Sequence, residues 1–264
     1  EVTRRVPIDP AESSRWRQSQ AVLQPDGSVT VPEIYLFEQP LFDDTTVLVD
    51  GGTFIMGKDA GNGTPPHERT VPSFYMMEDE VTVEMFATVA RLVEKLKDQD
   101  LPPGTPMGSV SWGLATDVAE KLGGRLPTEA EFEYAATNAG TTEFPWGNDP
   151  SVITEWKFGP VRIADYDVRP GEKPIYGLYS NYAEWTSTPM HSYPGSGPIP
   201  EEIRSLWSEA RIVRSGDAKV AEGKPGETNF ANFARRYRVA LDQGERHPQL
   251  GFRCVRSAKP RFLP

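Results

Sequence analysis

The stretch GGRLPTEAEFEYAATNAG, residues 123–140, carries the local signals that decide one helix and, through it, the fold. Gly123 and Gly124 supply the left-handed backbone that closes a preceding helix. Thr128 and Glu131 then satisfy the Thr-x-x-Glu capping box, in which each side chain accepts a hydrogen bond from the other residue's backbone N–H. Phe132, Ala135, Ala136 and Ala139 predict a buried face, and Gly140 predicts the stop. Glu129, Glu131 and Glu133 crowd the start of this helix, where carboxylates complement the positive end of the helix dipole. An acid–base role for the three is the competing reading, and the dipole accounts for them more simply.

Upstream, Ser111 predicts a cap ahead of the apolar stripe Leu114, Ala115, Val118, Ala119 and Leu122. Thr82 predicts another cap for a helix over 83–97, with Phe86, Val89, Ala90, Val93 and Leu96 on one face, and Pro102 and Pro103 bar its continuation. TTVLVDGGTFIMGKDAGNG, residues 45–63, predicts a hairpin broken at Gly51-Gly52. RTVPSFYMM at 69–77 predicts one further strand, and LGFRCVR at 250–256 a closing one. PIPEEIRSLWSEARIV at 198–213 predicts a short amphipathic helix carrying Ile203, Leu206, Trp207 and Ala210. An N-terminal arm, 1–45, containing the strand-like TVPEIYLF, is expected to pack on one domain, 46–264.

The chain has 264 residues, with 28 Lys and Arg against 38 Asp and Glu, and a net charge of −10. That balance argues against non-specific binding to nucleic acid or anionic lipid. No apolar run approaches the ~20 residues that span a bilayer, so no membrane insertion is expected. The densest basic stretch, ARRYR at 234–238, is read as paired or stem-buried arginines. The 23 Gly and 25 Pro with 38% hydrophobic residues predict a folded chain rich in ordered loops. Cys254 is the one cysteine, so no intrachain disulfide forms. The start at Glu1 is read as a trimmed or mature form. His67, His191 and His247 are scattered, with no His-Glu-x-x-His pattern, and GKDAGNGT lacks the ending of a phosphate-binding loop.

Taken in order, GGTFIMG (51–57), VPSFYMMEDEVTVEMF (71–86), the long run from VSWG to PWGN (110–148), YGLY (176–179), NYAEWTS (181–187), RIVRSG (211–216), RRYRVA (235–240) and LGFRCV (250–255) resemble the formylglycine-generating enzyme, or sulfatase-modifying factor, family. The resemblance covers about 46–256. It implies a loop-rich α+β fold related to the C-type lectin arrangement, with function on the loops beyond a scaffold helix.

Catalytic members of that family use a copper-binding cysteine pair around an Arg-Tyr-Arg element; the matching positions here are Ala234 and Val239. Neither thiol is present, so no copper is expected, and Cys254 is read as buried packing. Arg214-Ser215-Gly216-Asp217 stands where the family has Gly-Gly-Ser-Trp, and GLYSNYAEW is a shortened form of another groove motif. The expected groove therefore contains Trp185, Ser215, Asp217, Ala234, Arg236, Arg238 and Val239. Asp217, Asp242 and Glu245 are its acid–base candidates. Asn181 and Glu184 match family positions that bind structural calcium, with an ordinary loop hydrogen-bond network as the alternative. Asp165 and Asp167 fall near the family's other calcium site.

Two functions follow from the resemblance. One is a non-catalytic binding and regulatory protein, similar to the periplasmic TagR-like accessory proteins of type VI secretion. Its partner would be a cell-envelope protein such as the periplasmic part of a membrane Ser/Thr kinase, with Trp207 as an anchor. The other is a periplasmic oxidative maturation enzyme similar to PvdO of siderophore maturation.

Overall fold

The computed structural model describes residues 22–23, 29–30, 45–58, 64–90, 102, 104–152, 159–165, 167–198, 201–207, 209–215 and 238–258. The chain divides into two units, Glu1–Pro40 and Leu41–Pro264. In the first, β1 (Val22–Leu23) pairs antiparallel with β2 (Val29–Thr30). The expected strand TVPEIYLF lies outside the described residues after Thr30.

The second unit is a mixed, sheet-rich α+β body. Strands β3 (Thr46–Val49), β4 (Gly52–Met56), β5 (His67–Val71) and β6 (Phe74–Met77) open it. Helices α1 (Val83–Ala90), α2 (Trp112–Lys121) and α3 (Glu129–Ala136) follow. The short β7 (Val168–Arg169) and β8 (Ile175–Tyr176) then precede β9 (Ala183–Pro189), α4 (Glu201–Leu206) and β10 (Ala210–Arg214). Strands β11 (Val239–Asp242), β12 (Leu250–Gly251) and β13 (Val255–Ser257) close it. The larger sheets run β11-β10-β9-β12 and β13-β6-β3.

The local signals act as the sequence predicts at the caps. Ser111 Oγ accepts from Leu114 N–H at the start of α2, and both halves of the Thr128–Glu131 capping box are formed. Thr82 Oγ1 accepts from Met85 N–H at α1. Helix α3 ends sooner than its glycine suggests. Thr137 is its C-cap, and Thr137 Oγ1 bonds back to the Glu133 carbonyl, so Ala139 lies in a turn at φ 60°. Val93 and Leu96 of the expected first helix lie outside the described residues.

The strand predictions need correction. Strands β3 and β4 do not pair: β3 bonds to β6, and β4 to β5. The chain crosses between sheets at Gly51, whose N–H donates to Ser73 Oγ, and a Cβ there would meet the Pro72 carbonyl carbon at 2.4 Å. Only glycine allows the two backbones to come so close. RTVPSFYMM contributes two strands separated at Pro72-Ser73, because proline cannot donate to a ladder. LGFRCVR likewise splits, β12 running parallel to β9 and β13 antiparallel to β6. Ala210 opens β10 and is buried, so α4 stops at Leu206.

Two apolar clusters fill the body. One packs α2 with Phe86, Trp185, Phe252 and Cys254; the other packs α3 through Phe132 and Tyr134 against β3, β4 and β6. Helix α3 also meets β9, where Thr188 Oγ1 accepts from Glu129 N–H and Ser187 N–H donates to the Pro127 carbonyl, and β10, through Arg214. That contact sets the three glutamates at the start of α3 facing into the protein.

Candidate functional site

Glu129, Glu131 and Glu133 are 1%, 3% and 0% exposed; Glu129 and Glu131 do stand in the first turn, but all three carboxylates are buried and need partners beyond the helix dipole. Glu129 is the hub. Its Oε1 accepts from Tyr193 Oη at 2.9 Å, Arg214 Nη1 at 3.3 Å and Arg238 Nε at 2.6 Å, and its Oε2 accepts from Arg238 Nη2 at 3.1 Å. Glu133 accepts from Arg214 Nη2 at 2.8 Å and from the Gly57 N–H at 2.7 Å. Glu131 forms a two-pronged pair with Arg125, 2.6 and 2.7 Å, while closing the capping box.

Burial alone would raise the Glu129 carboxyl, but Arg214 and Arg238 outweigh it and hold the group below the usual carboxylate range. Burial pushes the Tyr193 hydroxyl up, so it stays a donor. The Arg238 guanidinium also lies over the Tyr193 ring at 4.4 Å, with the His67 ring edge-on to Tyr193 at 4.5 Å. Each of these carboxylates is buried and paired with an arginine, so they serve as anchors.

A second buried cluster surrounds Arg253. Its guanidinium donates to both oxygens of Glu184, at 2.7 to 3.0 Å, and to the Gly177 carbonyl at 3.0 Å. Asn181 Nδ2 donates to Glu80 Oε1 at 3.0 Å, and Asn181 Oδ1 accepts from Gly159 N–H at 3.1 Å. Among the described residues, Glu80 Oε2 and Asp167 Oδ1 are buried without a donor. Burial pushes the Glu80 carboxyl up to about 8, with Arg253 opposing and Glu184 adding to the rise. The positive φ of 69° at Asn181 turns the backbone into this cluster.

A calcium ion requires oxygen ligands that are free to coordinate. Glu184 has none to spare, because both its oxygens face Arg253. Glu80 does, beside Asn181. Among the described side chains of this cluster, Glu80 Oε2 is thus an oxygen that fits a hard cation; Asn181 turns its N–H to Glu80 and its oxygen to Gly159, so in this arrangement neither it nor Glu184 fits one. Among the described residues, no group of three or more His, Cys, Asp or Glu converges as a metal cage, so backbone oxygens would have to complete any such site.

The remaining predicted residues scatter. Trp185 is fully buried, its Nε1 donating to the Val110 carbonyl, so it belongs to the core and not to a groove. Ser215 is half-buried at φ 61°, and its hydroxyl reaches the Ser180 carbonyl at 3.4 Å. Arg238 joins the Glu129 hub, and Val239 begins β11 against the apolar core. Trp207 is half-buried in the turn after α4, so the exposed helical anchor expected of it is not formed. Asp242 is exposed and caps a turn through the Gly244 N–H, and Glu245 is exposed beside it. Asp217, Ala234 and Arg236 lie outside the described residues. Cys254 is buried as expected, and burial pushes its thiol up.

The hub was missed in the sequence although one signal pointed to it. Glu129 and Glu133 share a helix face with Phe132 and Ala136, and carboxylates inside an apolar stripe require cationic partners.

Comparison with known families matches residues 36–258 to the sulfatase-modifying factor enzyme 1-like domain. This chain belongs to that family. It is 28% identical over 178 residues to a formylglycine-generating enzyme of Streptomyces coelicolor, covering 59% of this chain and 54% of the relative. It is 30% identical over 256 residues to the serine/threonine-protein kinase pkn1 of Chlamydia caviae, covering 84% of this chain and 39% of the kinase. A hercynine oxygenase of Mycobacterium tuberculosis is 27% identical over 160 residues, covering 56% of this chain and 37% of the relative. The chain therefore spans about a third to a half of the length of these relatives. Among solved structures, Treponema denticola variable protein 1 aligns with a TM-score of 0.59 at 17% identity, over 80% of this chain and 94% of that one. PvdO from Pseudomonas aeruginosa aligns at 0.54 and 21%, with the same coverage. At these identities the likeness is one of fold.

Proposed function

We propose that this chain is a non-catalytic binding and regulatory member of its family. The observation that carries this reading is Cys254. It is the single cysteine, it is fully buried, and burial pushes its thiol up, with Glu184 adding to the rise and Arg253 opposing it. The copper chemistry of the catalytic relatives needs two thiolates at one accessible place. This chain offers one neutral thiol locked in the core.

The similarity to part of a serine/threonine kinase supports a role beside a kinase. In this reading the chain acts in the periplasm, as a TagR-like accessory protein of type VI secretion, on the extracytoplasmic part of a membrane kinase. The second reading is an oxidative maturation enzyme of the PvdO type; with the oxygens of Glu129 and Glu131 engaged, its acid or base would be an exposed carboxylate such as Asp242 or Glu245. A structural calcium ion belongs to the same proposal. Glu80 Oε2 would hold it, with Asn181 joining once its amide turns the oxygen toward the ion, and the ion would supply the positive charge that Glu80 Oε2 lacks.

The test is an assay of the purified chain with Cu(I), oxygen and a cysteine-containing peptide, alongside co-purification with the extracytoplasmic region of a membrane Ser/Thr kinase from the same cell. Recovery of the kinase region without aldehyde formation is the expected result. Peptide oxidation by this chain would overturn the reading.

A further inference from the structure

An open depression of about 370 Å³ lies where β4 and β5 meet the start of α3, within the size range of small-molecule sites. Met56, Val71 and Pro72 give it an apolar wall, and Arg69, Arg125 and Thr188 line it with polar groups. Glu129 and Glu131 also border it, which at first sight favours a cation.

Their hydrogen bonds point the other way. Every oxygen of these two carboxylates already accepts from an arginine, and Glu129 and Glu131 also take donors from Tyr193 and Thr128. Behind them stand Arg214 and Arg238, so four arginines and three carboxylates meet around this place in a chain of net charge −10. Most of the uncommitted polar groups are donors; His191, whose Nδ1–H donates to the Pro189 carbonyl, presents its Nε2 as the exception. The exposed Arg69 guanidinium has no hydrogen-bond or ionic partner among the described residues, although its backbone is paired with Phe54 in the sheet. The Arg125 side chain is 34% exposed and turns only part of its fork to Glu131 and the Leu126 carbonyl. Thr188 Oγ1 accepts from Glu129 N–H, which leaves its own O–H to donate. Guanidinium and hydroxyl donors next to an apolar wall suit a ligand with an oxyanion at one end and a hydrocarbon body at the other.

We propose that this depression binds a small organic oxyanion, its carboxylate or phosphoryl group held by Arg69 and Arg125 and its apolar body laid on Met56, Val71 and Pro72. The site does not depend on the fate of the family's copper chemistry, since none of its residues matches the cysteine positions.

The experiment is a titration of the full chain with benzoate, phenyl phosphate, inorganic phosphate and neutral benzamide at constant ionic strength, followed by amide NMR shifts. Saturable shifts at residues 69–72 and 129–131 are expected with benzoate or phenyl phosphate, and whichever binds more tightly identifies the headgroup. Benzamide should bind at least about tenfold more weakly, and Arg69→Ala should weaken the preferred oxyanion by about tenfold, in keeping with loss of a charge-assisted contact. Arg69 is exposed, so this variant folds; Arg69→Glu should abolish binding. The proposal fails if no saturable shift occurs, if benzamide matches benzoate, if inorganic phosphate matches phenyl phosphate, or if Arg69→Ala binds as the parent does.

Discussion

Glu129 and Arg238 meet through hydrogen bonds of 2.6 and 3.1 Å across 109 residues of chain. Arg214 reaches the same carboxylate. One glutamate at the start of α3 therefore ties the end of β10 to the start of β11.

Glu129→Ala should be severely destabilising. Removing one partner of a buried ion network leaves Arg238 without its carboxylate and Arg214 with Glu133 alone, a loss of about 3 to 5 kcal/mol. Urea unfolding measures it. A change within experimental error would show the hub to be energetically idle.

Acid should weaken the same hub. The Glu129 carboxyl is held below its unfolded value, so its contribution is complete above that value and is lost as pH falls through the lower folded one. Glu129→Gln should flatten the acid limb of a melting-temperature profile; an unaltered limb would refute the assignment.

Glu80 has the opposite sign. Its carboxyl rises from 4.5 to about 8 on folding. The metal-free protein should then lose stability as pH climbs between those values, because the unfolded chain releases the proton first. Glu80→Gln, which keeps the shape without the charge, should remove that slope. A parent and a variant with parallel profiles would contradict it.

Calcium should raise the melting temperature at pH 8 and reduce the alkaline decline, since a ligand of the folded state alone stabilises it by mass action. Asn181→Ala should abolish the effect. A chelator that leaves the melt unchanged, with no response in either protein, would remove calcium from the account.

Thr128→Ala should lose about 1 kcal/mol, the usual worth of an N-cap hydroxyl. Gly51→Ala should disturb more, because its Cβ would strike the backbone of Pro72 at 2.4 Å. Chemical denaturation of both variants gives the order, and the reverse order would count against the crossing described at Gly51.

The caps were legible in the sequence because a capping box spans only three residues, and both partners appear in one short window. Strand pairing was not. The alternation in residues 46–56 correctly marks two strands, yet their partners are β6 and β5, chosen by the crossing at Gly51 and the break at Pro72. The hub was hidden for a related reason: Arg214 and Arg238 lie 85 and 109 residues from Glu129, and no local pattern announces which arginine will meet which carboxylate. Trp185 was misplaced because an aromatic within a family groove motif looks the same whether its ring faces the cleft or the core.

Strand β13 reaches back to β6, and the Met77 N–H is satisfied by the Cys254 carbonyl. A nascent chain must therefore finish nearly the whole domain before this sheet can close. Until then β6 waits with an unsatisfied rim, open to chaperones or to pairing with a neighbouring molecule, and folding should be slow for the domain's size.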